Sequence, residues 1–111
     1  MPRDLGSQTK LYAAMVKHLP LYDEDIEVTN LFVTRELIDD EVSGGTTHSA
    51  EEARRLEEAD VALVKLRPLL IRRFRDMFSL RPPDVPRRYW WWYLDEGPQV
   101  REQALAVTKE P

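Results

Sequence analysis

The chain has 111 residues, 42% of them apolar and 32% charged, with no cysteine and a formal net charge of −4. That is the composition of a folded globular chain, long enough to bury roughly 65% of its extended surface in a core without staples. It excludes a disulfide framework, a thiol nucleophile and a zinc–thiolate site, and no run of about 18 apolar residues is present to span a membrane.

Residues 1–6 read as a loose start. Ser7 is positioned to cap a first helix, whose apolar stripe is Leu11, Tyr12, Met15, Val16 and Leu19, and Pro20 ends it. Asp23 or Asp25 caps a second segment over residues 26–42, where Val28, Leu31, Phe32, Leu37, Ile38 and Val42 fit an amphipathic helix. Ile26, Val28, Thr29, Phe32, Val33 and Thr34 also favour strand, but a lone strand has no partner elsewhere, so a helix is expected. Asp39-Asp40-Glu41 sits against the negative end of that helix dipole, which predicts fraying or support from arginines elsewhere.

Ser43-Gly44-Gly45-Thr46-Thr47-His48 is a flexible connection. Ser49 and Glu52 then form a capping-box pattern that opens the longest periodic segment, residues 50–79. Leu56, Leu63, Leu70 and Met77 recur every seven residues, with Ala53, Ala59, Leu66 and Phe74 beside them. Pro68 removes one backbone bond, which predicts a kink or a split into two helices. The flanks change from acidic before Pro68 to basic after it, so the two halves are expected to have different neighbours. Arg81-Pro82-Pro83-Asp84-Val85-Pro86 is a stiff connector. A short helix is expected from Asp84 as cap to about Asp95, stopped at Gly97-Pro98, and a weak final helix over residues 99–107 built on Val100, Ala104, Leu105 and Val107, with a loose end at 108–111. The expected fold class is all-α: a small single-domain bundle of four to five helices built on a long helix kinked at Pro68.

The charges are unevenly spread. Residues 23–60 carry thirteen acidic groups against Arg35, Arg54 and Arg55; residues 61–88 carry eight basic groups against Asp76 and Asp84. Either the halves neutralise each other, or a basic patch faces an acidic partner. Catalytic and metal chemistry find little support. His18 and His48 are thirty residues apart, outside any metal-ligand spacing. The acidic clusters lack calcium-loop spacing. Gly44-Gly45-Thr46-Thr47 leads into a helix whose Glu51 and Glu52 would repel a phosphate, and the phosphate-loop pattern is absent. No catalytic residue, cofactor or metal ligand is therefore assigned, and a non-enzymatic role is expected.

What remains is Arg72, Arg73, Arg87 and Arg88 beside Tyr89-Trp90-Trp91-Trp92-Tyr93, a block holding five of the ten aromatic residues and all three tryptophans. If residues 87–94 are helical, Tyr89, Trp92 and Tyr93 share one face while Trp90, Trp91 and Leu94 turn elsewhere, so one set can close a core and the other is spare. Trp, Tyr and Arg are the residues most enriched at interface hot spots. The expected role is a protein-interaction or accessory module, through self-association as a homodimer or as a subunit of a larger assembly, with Arg72, Arg73, Arg87, Arg88, Tyr89, Trp90, Trp91 and Tyr93 as the contact set. The alternative is nucleic-acid association through the same residues, arginines on phosphate and rings on bases, although the net acidity opposes it. A start without an apolar signal region gives a cytoplasmic expectation.

Overall fold

The computed structural model describes residues 4–109. Among these the chain is all-α, with five α-helices, two 3-10 segments and no strand. The helices are α1 (Leu5–His18), α2 (Asp25–Ser43), α3 (Ala50–Lys65), α4 (Arg67–Ser79) and α5 (Val100–Lys109); the 3-10 segments are Leu19–Leu21 and Trp90–Glu96. Residues 1–3 and 110–111 of the expected loose ends lie outside the described residues. The chain forms two compact units, one ending at Lys65 and one beginning at Leu66. None of the helices is long and apolar enough to cross a membrane among the described residues.

In the first unit, α1 begins earlier than expected. Asp4, not Ser7, is its cap, with the Ser7 amide donating to Asp4 Oδ1 at 2.7 Å, so Leu5 and Gly6 are helical and Leu5 is buried. The carboxylate is held below the usual aspartate range by that hydrogen bond. The expected stripe does face inward, with Tyr12, Val16 and Leu19 buried, and Pro20 sits in the 3-10 turn that follows. Residues 26–42 are helical, as expected. Glu24 caps α2 in place of Asp23 or Asp25, and its amide, like that of Asp23, donates to Glu27 Oε1. Val28, Leu31, Phe32 and Ile38 are core, whereas Leu37 and Val42 are exposed and Thr34 and Arg35 are buried instead. The acidic end of α2 stays helical to Ser43; the Gly44 amide donates to Asp40 O, and Asp39 lies close enough to Arg35 to help hold its charge. The Ser49–Glu52 capping box forms in both directions, at 3.0 and 3.1 Å.

α1 packs against both α2 and α3. Each of the three contributes one member of a buried polar cluster. Arg35 donates through Nε and Nη2 to the two oxygens of Asp60, at 2.9 and 3.0 Å, and the Tyr12 hydroxyl donates to Asp60 Oδ1 at 2.7 Å. Arg35 and Asp60 keep only 7% and 3% of their surface exposed, and Tyr12 none. The desolvation cost of such a pair is met only when its hydrogen bonds are complete.

The long periodic segment is split between the units. Leu66 leaves the helical region (φ −84°, ψ 2°) and Pro68 falls in the first turn of α4, where a missing amide costs nothing. The expected change of neighbours follows: α3 packs on α1, while α4 packs on the 3-10 segment Trp90–Glu96. The second unit is closed by Leu70, Phe74, Met77 and Phe78 of α4, the ring block and Val100.

Removing one partner of the buried pair leaves an uncompensated charge, so Asp60→Ala should lower unfolding stability by about 3–5 kcal/mol. Urea unfolding followed by circular dichroism measures this; a loss below about 1 kcal/mol would show the pair to be water-exposed. Burial, reinforced by the Asp60 charge, pushes the Tyr12 hydroxyl well above the usual tyrosine range. The unfolded chain releases this proton near pH 10 and the folded chain does not. The contribution of Tyr12 is therefore complete below about pH 10 and lost as pH rises beyond it. Melting temperatures should fall more steeply above that pH in the unaltered protein than in Tyr12→Phe; equal slopes would exclude a buried, protonated Tyr12.

Candidate functional site

The aromatic block is not the short α-helix expected from Asp84 to Asp95. Pro82, Pro83 and Pro86 lack amide donors, and the Tyr89 amide turns back to Pro86 O at 3.0 Å before the 3-10 segment begins at Trp90. With three residues per turn, successive rings point in three directions rather than along one α-helical face. Tyr93 departs from helical angles (φ −117°, ψ 19°) and joins two short turns. This arrangement lets every ring from Trp90 to Tyr93 be buried, with 3%, 0%, 8% and 7% of surface exposed in chain order. Trp90 and Trp91 meet edge to face at 5.4 Å between centroids, and Tyr89, half-buried, lies 5.3 Å from Trp91. The division into a packing set and a spare set does not occur. Trp90, Trp91 and Tyr93 are core residues, and stacking bases needs ring faces that these residues do not expose.

The arginines explain how the block is held. Arg67, at the start of α4, donates to the carbonyls of Leu94 (2.5 Å) and Asp95 (3.2 Å), capping the end of the 3-10 segment. Arg81 donates to Trp92 O at 3.0 Å and to Asp95 Oδ1 at 2.6 Å. Its guanidinium carbon lies 4.4 Å from the centre of the Tyr93 ring, and that of Arg87 lies 4.2 Å from it. Arg87 also pairs with Glu96 at 2.6 Å. That hydrogen bond holds Glu96 below the usual carboxylate range and raises Arg87. The Tyr93 hydroxyl donates to Val85 O, tying the proline connector to the far end of the side chain. Arg88 lies over Tyr89, 5.1 Å from its ring centre. Interleaved arginines and rings thus serve one another within this unit.

Beside this assembly is a cavity of about 370 Å³. Arg87, Arg88, Glu96 and Gln103 supply its polar lining and Tyr93, Val100 and Ala104 its apolar lining. Gly97 sets the wall formed by α5. Its φ of 142° is reached easily only by glycine, and a Cβ there would meet the Gln99 side chain at 2.2 Å. Val100, Gln103 and Ala104 then share one helical face by their spacing. Of the expected contact set, the structure brings Arg87, Arg88 and Tyr93 to the cavity. Arg72 and Arg73 are exposed on α4 and do not line it; Tyr89, Trp90 and Trp91 do not line it either. Glu96, Val100, Gln103 and Ala104 were missed. For Val100, Gln103 and Ala104 the signal is the i, i+3, i+4 face of the last helix; for Glu96 it is only its place at the end of the ring block.

In the first unit, His48 is half-buried with Nε2 3.1 Å from Thr9 Oγ1, whose own proton goes to Leu5 O. His48 is thus the donor to Thr9 and holds the loop before α3 against α1. Among the described residues there is no group of three or more His, Cys, Asp and Glu side chains disposed to hold a metal ion. Comparison with known proteins finds no matching family model, no matching curated protein and no matching solved structure.

All three tryptophans lie in the buried block, so intrinsic fluorescence reports on it alone. Emission should be blue-shifted and resistant to acrylamide in the folded protein. A readily quenched, red-shifted component would show that a ring of the block faces water.

Proposed function

We propose that the protein is an interaction module and that its contact site is the cavity beside the aromatic block. The observation that supports this reading is the cavity's make-up. It combines an apolar lining from Tyr93, Val100 and Ala104 with Arg87 and Arg88, next to a rigid core that preorganises both. At about 370 Å³ it lies at the small end of the range for ligand sites, roughly 300–1,000 Å³. That is room for the side chains of one segment of a partner. An apolar side chain fits against Val100 and Ala104, and a carboxylate beside it fits the guanidinium groups, whose planar donors suit such a partner. Gln103, exposed at the cavity, offers both a donor and an acceptor to a backbone. The arginines fix orientation and the apolar contacts supply affinity.

Site-directed photocrosslinking tests this. Benzoylphenylalanine at Gln103 should give a protein adduct in cells that the same group at the exposed Glu58 of α3 does not give, and Ala104→Glu should remove it. Failure of Gln103 to give any adduct, or an adduct destroyed by nuclease rather than protease, would overturn the reading.

A further inference from the structure

α2 presents a second unused surface. Ile26, Val33 and Leu37 are 56%, 41% and 48% exposed. Their spacing of seven and four places them on one face of the helix, a stripe of about 16 Å at 1.5 Å per residue. α2 contains six acidic residues and a single base, Arg35. That base is buried against Asp60, so the side chains beside the stripe that reach water, such as Asp25, Asp40 and Glu41, are acidic. The imbalance extends to the whole of each unit: fourteen acidic against seven basic residues up to Lys65, and nine basic against six acidic from Leu66 onward.

We propose that the occupant of the cavity is this α2 stripe from a second copy of the chain. The inference rests on the reading of the cavity as a contact site and names its partner. The stripe brings aliphatic side chains to Val100 and Ala104, and its flanking carboxylates face Arg88 and Arg87, the latter shared with Glu96 of the same lining. Pairing of α2 with α2 would instead set acidic flank against acidic flank, a like-charge juxtaposition that opposes association. Each copy carries one stripe and one cavity, so a chain can give its stripe to one contact and receive a stripe in another. Charge makes the contact salt-sensitive, and the apolar stripe gives it persistence.

Light scattering after size exclusion tests this on the full chain, with Leu37→Lys and Ala104→Glu as variants at exposed or half-buried positions, their folding checked by circular dichroism. The unaltered protein should show a mass above one chain that rises with concentration and falls as salt is raised from about 0.05 M to about 0.5 M. Each variant should weaken association at least about tenfold, and their equimolar mixture should regain one contact per pair of unlike chains, since one retains an intact cavity and the other an intact stripe. Val33→Lys repeats the stripe arm should Leu37→Lys misfold. A single-chain mass at every concentration would overturn the proposal, as would association that Leu37→Lys leaves intact. If a monomer still gives the Gln103 crosslink to another protein, the cavity reading stands and the second-copy proposal alone falls. Loss of both the association and the crosslink removes both.

Discussion

Arg35, Asp60 and Tyr12 form the contact on which the first unit depends. Taking a guanidinium and a carboxylate out of water costs several kcal/mol per ion, and their attraction offsets this only if the remaining hydrogen bonds are made. Here two guanidinium donors meet the two carboxylate oxygens, and the tyrosine hydroxyl supplies a third bond. Because α1, α2 and α3 contribute one group each, the cluster also sets their register. A slip of one turn along any helix, about 5.4 Å, would separate a charge from its partner in an apolar setting. The apolar core of Val28, Leu31, Phe32 and Leu63 can find other apolar neighbours after such a slip, at a cost in packing; the polar cluster has one set of partners. The same contact shapes the surface, since it withdraws the only cation of α2 and leaves that helix acidic outside.

The second unit solves a different problem. Five consecutive rings cannot share the face of an α-helix. A 3-10 segment, splitting its rings among three directions, packs against α4 and α5 together. Such short turns leave carbonyls unsatisfied, and here arginines take them: Arg67 at Leu94 and Asp95, Arg81 at Trp92. Arg67 lies at the amino end of α4, where a cation opposes the helix dipole. Its two bonds to carbonyls ending another element account for that placement.

Period and punctuation in the sequence carried most of the fold. The stripe of α1 and the capping box of Ser49 and Glu52 are each set by local rules, and each appears where those rules put it, whereas the long segment divides at Leu66 with Pro68 inside the first turn of α4. What stayed hidden depended on contacts between distant residues. Asp60 reads as one acid among thirteen, yet it falls on the inward face between Leu56 and Leu63. Arg35 lies on the same side of α2 as Leu31, Phe32 and Ile38. A charge on an apolar stripe signals a buried partner, but nothing local says which. Residues 84–95 have a cap and a first-turn proline that a short α-helix tolerates, and it is the packing of five consecutive rings against two helices that selects a 3-10 segment instead.

The candidate site was legible only by neighbourhood. Arginines and rings that resemble an exposed contact surface are mostly consumed in holding one another, because a ring buried beside a guanidinium gains from both desolvation and charge. On the proposed reading, a cation already held by a ring and a carboxylate orients an arriving carboxylate through its remaining donors, since its position is fixed before the partner comes and little ordering cost remains. Arg87, held by Tyr93 and Glu96 at the cavity's edge, is in that state. The packing of the aromatic block and the proposed selectivity of the cavity would thus have one origin: the core supplies rigidity, and the arginines that secure the core carry that rigidity to the surface.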